Sequence, residues 1–148
     1  GFQDWPNDQV ELDLGGRVVD VIAIPGHEPS SIAYYDRETG LLLTGDTFYP
    51  GFLFIFGAQG QGNWDIYKAS IKRLLAFVDG KPVKHVLGTH VEMTAVPGVA
   101  YPYGTSVQPN EHPLELSLQA LQLLDTTLDG LPNPQQVVLD EFIIDPFG

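Results

Sequence analysis

The sequence predicts an α/β fold in which short strands alternate with two amphipathic helices. Short apolar, β-branched runs that end at glycine-containing turns indicate the strands, and apolar residues at steps of three and four indicate the helices. With 148 residues, of which 43% are hydrophobic and 18% charged, the chain can bury a core. We therefore expect residues 1–148 to form a single domain or part of one.

The strand-forming runs are grouped as hairpins. Gly15-Gly16 separates the first two runs, and the turn-forming residues 36–40 separate the next two, as is typical of antiparallel strands. The last run is expected to form a strand or a hairpin. The predicted strand-forming runs are 10–14, 17–24, 31–35, 41–44, 83–87 and 137–144.

Two segments have the periodicity of helices. Asn63 is the expected N-cap of the first helix, and Gly80 and Pro82 end it. The second helix is predicted over about 113–128, again followed by a glycine and a proline. The apolar stripes are Tyr67, Ile71, Leu74, Leu75 and Val78 in the first helix, and Leu114, Leu118, Leu121, Leu124 and Leu128 in the second.

The charge balance argues against polyanionic partners. The chain has 7 Lys plus Arg against 19 Asp plus Glu, a formal net charge of −12. Only Lys68, Lys72 and Arg73 share a helical neighbourhood, which we interpret as a solvated helix face. No nucleic acid is expected, and a small neutral or lipophilic substrate is favoured. No apolar run reaches the roughly 18 residues of a membrane span, so no membrane association is expected, and the predicted location is cytoplasmic.

Three short motifs place a His or an Asp directly after an apolar run, at a bend that contains glycine. Imidazole nitrogen and carboxylate oxygen are ligands that suit zinc, and also iron or manganese. One such histidine alone would be interpreted as an ordinary loop or core residue, but three motifs with the same local pattern, two with His and one with Asp, indicate a hydrolytic metal centre. The motifs are Ile24-Pro25-Gly26-His27, Leu43-Thr44-Gly45-Asp46-Thr47 and Val86-Leu87-Gly88-Thr89-His90.

From about Val10 to His90, these motifs in this order resemble the second half of the metallo-β-lactamase superfamily. The resemblance implies a binuclear centre of zinc, or of iron or manganese, in which His27 binds one metal ion, His90 the other, and Asp46 bridges both. It implies the C-terminal half of an αβ/βα sandwich, so that the chain is a single partial domain. Some β-lactamases of the family carry a cysteine where Asp46 stands. Because this chain has no cysteine, the resemblance favours the glyoxalase II-like, lactonase-like and nuclease-like branches.

The family's other ligand motif, His-x-His-x-Asp-His, does not occur in this sequence. The remaining histidines, His85 and His112, have no His or Asp at the required offsets. Two ligands per metal are too few, because a catalytic zinc normally has three protein ligands and a water. We expect a missing N-terminal segment or another polypeptide to complete the site. That N-terminal half, or a second copy in a homodimer, is also expected to cover the apolar sheet face that half a sandwich exposes.

Aromatic residues follow the Asp46 motif and occur again in the segment 96–110. We interpret 48–56 as a lipophilic wall or lid beside the metals, with core filling as the alternative. The candidate substrate-binding residues are Phe48, Tyr49, Phe52, Tyr101 and Tyr103. Glu28 and Glu92 are candidates for orienting the ligand imidazoles, with ordinary solvated carboxylates as the alternative.

The predicted function is a metal-dependent hydrolase of a small ester, thioester or lactone, in which Asp46 is the catalytic residue that holds the metal pair. Two bridged metal ions lower the pKa of a bound water toward about 7 and polarise the scissile carbonyl. The isolated chain is expected to be inactive. Two alternatives remain open: an iron-dependent redox enzyme on the same fold, and a non-catalytic binding or assembly module.

Overall fold

The structure, a computed structural model, describes residues 4–55 and 63–146. Within these ranges the chain forms two sheets and two α-helices, preceded by a 3₁₀ turn at Pro6–Asp8. The strands are β1 (Gln9–Asp13), β2 (Val18–Ala23), β3 (Ile32–Asp36), β4 (Leu41–Gly45), β5 (Phe52–Phe54), β6 (His85–Gly88), β7 (Glu115–Leu116), β8 (Val137–Val138) and β9 (Ile143–Asp145). The helices are α1 (Trp64–Val78) and α2 (Leu118–Gly130).

The predicted hairpins are confirmed, with strand ends shifted by at most one residue. β1 pairs with β2 and β3 with β4, both antiparallel. In the first turn the Asp13 carboxylate accepts hydrogen bonds from the backbone N–H groups of Gly15 and Gly16, both at 2.9 Å, and these bonds lower the pKa of Asp13. The final run forms the antiparallel hairpin β8–β9 rather than one strand.

Helix α1 follows its sequence signals closely. The Asn63 side chain accepts hydrogen bonds from the backbone N–H groups of Asp65 at 2.9 Å and Ile66 at 3.1 Å. This cap satisfies two of the donors that a helix start leaves unpaired. The buried residues of the helix are Tyr67, Ser70, Ile71, Leu74, Phe77 and Val78. The predicted apolar stripe therefore faces the core.

The predicted start of the second helix at residue 113 is wrong. Helix α2 begins at Leu118, where the Ser117 hydroxyl accepts a hydrogen bond from the N–H of Ala120 at 3.0 Å. The preceding residues instead form β7, in which Leu116 pairs with Val86 of β6 and is buried. Leu114, which we placed on the helical stripe, lies before the helix and is exposed. Pairing with a sheet edge thus overrode the local periodicity.

The large sheet has the strand order β1-β2-β3-β4-β6-β7. The first four strands alternate in direction, and β4 and β6 are parallel. Strands β2, β4 and β6 therefore point the same way, and their carboxyl ends lie at one edge of the sheet. The small sheet, β5-β9-β8, pairs β5 in parallel with β9.

The two faces of the large sheet are covered differently. The face that carries Ile22, Tyr35 and Leu42 joins the core with α1 and α2. The opposite face, which we call the open face, consists of Val10, Leu12, Val19, Val21, Ala23, Ile32, Tyr34, Asp36, Leu41, Leu43, His85, Leu87 and Glu115. Within the described ranges, neither helix has both the length and the apolar character that crossing a bilayer requires.

Candidate metal centre

The strand directions bring three predicted residues to one edge of the large sheet. His27 follows β2 after a short turn, Asp46 follows β4 directly, and His90 lies two residues beyond β6. Gly45 has φ +57°, the left-handed conformation that glycine adopts readily, and it turns the chain at the point where Asp46 leaves the strand. Three local motifs that are far apart in sequence therefore meet in space.

The three side chains lie close together around the Asp46 carboxylate. The His27 Nε2 atom is 3.7 Å from Asp46 Oδ2, and the His90 Nε2 atom is 3.3 Å from Asp46 Oδ1. Each imidazole thus faces a different oxygen of one carboxylate. The His27 side chain is 12% exposed and the His90 side chain 51% exposed, so the His27 position is the more enclosed of the two.

The His27 ring is oriented by the backbone of β5. Its Nδ1 atom lies 2.7 Å from the carbonyl oxygen of Phe54. A carbonyl oxygen only accepts, so Nδ1 donates, and in the neutral ring Nε2 is then the unprotonated nitrogen. That nitrogen faces Asp46, and a lone pair directed at a carboxylate is favourable when a cation lies between the two groups. This arrangement is typical of a metal-binding histidine, whose second nitrogen donates to a carbonyl or carboxylate.

Asp46 and His90 also have neighbours that restrict their orientation. The Thr89 hydroxyl donates a hydrogen bond to Asp46 Oδ1. The Tyr49 ring lies against the His90 ring, with 5.2 Å between the ring centroids. Gly88 allows this packing, because a Cβ at that position would lie only 2.3 Å from the Tyr49 Cβ. The glycine before Thr89 thus lets the Tyr49 loop approach the end of β6.

Tyr49 links the two ends of the site through the backbone of Phe52. Its hydroxyl donates to the carbonyl oxygen of Phe52, while the Phe52 N–H donates to Glu92 Oε2 at 2.9 Å. Burial, aided by the nearby Glu92 and Asp46 charges, raises the pKa of the Tyr49 phenol far above its usual range. Tyr49 therefore stays neutral and remains a hydrogen-bond donor throughout the physiological pH range.

A cavity of about 680 Å³ opens beside these residues. One wall is aromatic: Phe52 and Phe54 stack with centroids 5.8 Å apart, and Tyr103 meets Phe54 edge-on at 6.3 Å. The cavity is lined by His27, Asp46, Tyr49, Phe52, Phe54, His90, Glu92, Tyr103 and Asp145. The site thus combines a polar cluster at the sheet edge with an apolar wall from the small sheet and the long loop after β6.

Comparison with known proteins agrees with this arrangement. A family model for the metallo-beta-lactamase superfamily matches residues 2–90, which is more than half of the chain. The chain belongs to the metallo-beta-lactamase superfamily. All three convergent residues, His27, Asp46 and His90, lie inside the matched range.

Two curated superfamily relatives are similar to this chain over part of its length. Acyl-coenzyme A thioesterase MBLAC2 of Gallus gallus is 35% identical over 82 residues, which are 55% of this chain and 29% of that protein. Hydroxyacylglutathione hydrolase of Synechococcus sp. (strain JA-2-3B'a(2-13)) is 42% identical over 52 residues, or 31% of this chain and 21% of that protein. The chain thus covers less than a third of each of these two relatives, and both are named as hydrolytic enzymes.

A solved structure supports the fold. The metallo-beta-lactamase from Pontibacter korlensis matches with a TM-score of 0.50 at 15% identity, over 83% of this chain and 46% of that one. At such low identity the similarity concerns the fold alone. It confirms the predicted α/β class and the metallo-beta-lactamase type of architecture.

Two of the predicted site residues are corrected by the structure. Phe48 does not line the cavity: its ring is fully buried and packs edge-on against Phe142 at 5.4 Å. The core-filling alternative therefore holds for this ring. Glu28 is exposed, and the partner of the His27 Nδ1 atom is the Phe54 carbonyl rather than a neighbouring carboxylate.

The other predicted residues lie at or beside the cavity. Tyr49, Phe52, Tyr103 and Glu92 line it. Tyr101 instead lines an adjoining hollow, together with Phe52 and His90. Glu92 accepts its hydrogen bond from the Phe52 backbone, as described above. The part of the predicted aromatic wall beyond residue 55 lies outside the described residues.

Sequence reasoning missed three contributions to this superfamily site. Phe54 lies in the predicted wall segment, but its carbonyl, which orients His27, was not predicted. Thr89 holds Asp46, a role that its position beside His90 could have indicated. Asp145 reaches the cavity only because β9 pairs with β5, and no local signal reveals that pairing.

The donor set fits a metal ion. Two ligand atoms of one tetrahedral zinc, bound at about 2.0–2.2 Å, lie roughly 3.4 Å apart, close to the 3.3 and 3.7 Å between the imidazole nitrogens and Asp46. In residues 4–55 and 63–146, no group of three or more His, Cys, Asp or Glu side chains is arranged to hold a metal ion. The described residues therefore offer two pairs of ligand atoms, each made of one histidine nitrogen and one Asp46 oxygen.

Proposed function

We propose that this chain is part of a metal-dependent hydrolase that cleaves a small ester, thioester or lactone at a binuclear centre. The observation that carries the proposal is the placement of one carboxylate between two imidazole nitrogens, with one nitrogen facing each oxygen. The names of the relatives, a thioesterase and a hydroxyacylglutathione hydrolase, support hydrolysis of an acyl bond.

His27, Asp46 and His90 would hold the metal ions, with Asp46 shared between them. Bound zinc supplies, at neutral pH, a nucleophilic hydroxide and a Lewis acid for the scissile carbonyl. The Phe54 carbonyl keeps the Nε2 lone pair of His27 directed at the centre, and Thr89 fixes the Asp46 carboxylate. The aromatic wall excludes water from one side of the reacting group.

Further ligands must come from outside this chain for the centre to be catalytic. Each metal would have two ligands from this chain, either His27 and Asp46 or His90 and Asp46. Catalytic zinc sites normally have three protein ligands. We propose that an additional segment supplies the rest, in line with the small share of the relatives that this chain covers. The 148-residue chain alone should then bind zinc weakly and be inactive.

The test uses the complete natural protein that contains this chain. It should carry about two metal ions per chain, hydrolyse simple esters, thioesters or lactones, and lose that activity on chelation. The variant Asp46→Asn should lower metal content and reduce kcat/KM more than about a hundredfold, because losing a shared ligand exceeds the 10–100-fold effect of an outer-shell partner. Asp65→Asn, on the exposed start of α1, is the matched control.

Three results would overturn the proposal. The first is a metal-loaded protein that hydrolyses none of the three substrate classes. The second is an iron-containing protein whose activity is an oxidation. The third is an Asp46→Asn variant with full metal content and full activity, which would show that this carboxylate is not a shared ligand.

A further inference from the structure

The charged residues of the cavity are all acidic, apart from the two histidines. Asp46, Glu92 and Asp145 line it, and none of the Lys or Arg residues does. The segments outside the described ranges contain no Lys or Arg either. Every cationic side chain of the sequence is therefore accounted for by the structure, and none of the seven lies at this wall.

The seven cationic side chains lie in other parts of the structure. Arg17, Arg37, Lys81 and Lys84 precede β2, follow β3 or precede β6, at the sheet edge opposite to the metal site. The remaining cations are on α1. Lys72 bonds to Asp125 and Asp129 of α2, Arg73 bonds to Asp8 at 2.7 Å, and Lys68 lies 6.0 Å above the Trp64 ring.

Three side chains form hydrogen bonds with the backbone of Phe52 and Phe54, two residues of the aromatic wall. Glu92 accepts from the Phe52 N–H, Tyr49 donates to the Phe52 carbonyl, and His27 donates to the Phe54 carbonyl. Because the two rings project from alternate residues of β5, they lie side by side on one face of that strand. The contacts that orient His27 and surround His90 therefore also hold Phe52 and Phe54 in place.

Two carboxylates lie beside this wall. Glu92 is hydrogen-bonded to the backbone of Phe52 itself, and Asp145 lies on β9, opposite Phe54 in the paired strands. The Asp145 side chain is nearly buried and accepts from Gln136 at 3.1 Å. An anionic group placed on the rings would meet two like charges and no cation of this chain, whereas an uncharged apolar group would gain contact with three rings.

We infer that the wall of Phe52, Phe54 and Tyr103 binds an uncharged, apolar group of the substrate, and that Glu92 and Asp145 discriminate against substrates with a phosphate, sulfate or carboxylate at that position. This inference rests on the proposed function for the identity of the reacting bond. Within the ester, thioester and lactone class, it selects neutral aliphatic or aromatic compounds.

The test compares two ligands that share a phenylbutyl group but differ in charge. We would measure binding of 4-phenylbutanol and of 4-phenylbutyl sulfate to the complete, metal-loaded protein, by calorimetry and by NMR shifts. The alcohol should bind at least about tenfold more tightly, since the sulfate lacks a cationic partner at the wall. The comparison is stringent because any attraction to the metal ions favours the sulfate.

Two variants assign the discrimination to this wall. Glu92→Gln keeps an oxygen acceptor for the Phe52 N–H but removes the charge. It should reduce the ratio of the alcohol's affinity to the sulfate's affinity by about threefold or more. Glu38→Gln removes the same charge from an exposed turn far from the cavity and should leave the affinity ratio of the two ligands unchanged. Phe54→Leu should weaken binding of the alcohol by about threefold to tenfold, because one ring of the wall is lost.

The failures of the two proposals can be told apart. A sulfate that binds as tightly as the alcohol, or an alcohol that shifts no resonance of the three aromatic residues, overturns the inference about the wall. If the alcohol is preferred but no ester, thioester or lactone is hydrolysed, the assignment of the wall stands and the proposed reaction fails. If hydrolysis is found but anionic substrates are preferred, the proposed reaction stands and the inference about the wall fails.

Discussion

The two faces of the large sheet come from the same strands but differ in what covers them. On the helix-covered face, Ile22 and Leu42 are completely buried. On the open face Val21 and Ala23 are buried too, but Leu12, Tyr34 and Leu43 are 43%, 36% and 38% exposed. Among the described residues, the two helices therefore cover one face of the sheet and leave large apolar side chains exposed on the other. We propose that a further segment or a second copy of the chain covers these exposed apolar residues.

The open face is continuous with the proposed metal centre. A shallow hollow runs along the sheet edge from Ile32, on the open face, to Asp46 and His27. A segment packed on the open face would therefore reach the same carboxylate that the cavity reaches from the other side. This geometry supports the proposal that one additional element both covers the sheet and completes the metal ligands.

The largest effect on folding is expected when a charge is placed on the helix-covered face. In the 148-residue chain, Ile22→Asp should prevent cooperative folding, because a buried carboxylate without a partner costs several kcal/mol. Thermal and urea unfolding followed by circular dichroism would measure the effect. The matched change on the other face is Ile32→Asp, which lies one residue from the Ala33 partner of Ile22.

Ile32→Asp should cost less than about 1 kcal/mol in the isolated chain, as expected for a substitution outside the buried core. Of this pair, Ile22 lies on the helix-covered face and Ile32 on the open face. Equal destabilisation by both variants would contradict the difference between the two faces.

The next effect concerns association through the open face. We expect this chain to be found with the N-terminal half packed on it, or as a dimer. The dimer interface should be largely apolar and well over the roughly 1,200–2,000 Å² of a standard complex. Ile32→Asp and Leu43→Asp should each disrupt that assembly in sedimentation experiments. Glu38→Gln, on the neighbouring turn, serves as the control. A monodisperse monomer that neither variant changes would show that the open face is stable in water.

Local signals in the sequence were sufficient for much of the fold. The hairpin turns, the Asn63 cap and the apolar stripe of α1 all act within a few residues of chain, so their outcome was predictable. The start of α2 was not, because Leu116 gains more by pairing with Val86 than by extending a helix. Strand pairing between distant segments leaves no trace in local periodicity.

The same distinction applies to the candidate site. His27, Asp46 and His90 were located because each directly follows a strand-forming run, and strands that point the same way end at one edge. The burial of Phe48 and the exposure of Phe52 depend on how the loop packs against Phe142 and the small sheet. Asp145 depends on a parallel pairing across most of the chain. Composition identified the aromatic segment but not which of its rings face the cavity.

The smallest expected effect is the pH dependence of an ion pair at the margin of the open face. The Arg17 guanidinium, aided by the Thr39 hydroxyl, holds the pKa of Asp36 well below its usual range. Because the folded-state pKa is lowered, the stabilisation is fully present above the ordinary carboxyl pKa of about 3.9 and is lost as the pH falls through the lowered value. Asp36→Asn should therefore lower Tm at pH 7, and the difference from the unmodified chain should shrink below about pH 4.

Glu38→Gln provides the control for this pair. Its carboxylate lies 3.8 Å from the same guanidinium, but its side chain is 71% exposed, and solvent screens such pairs strongly. It should leave the acid limb of the Tm profile unchanged. If Asp36→Asn and the unmodified chain differ by the same amount at pH 3 and at pH 7, the contribution of Asp36 is not electrostatic. The margin of the open face would then be held by packing rather than by this ion pair.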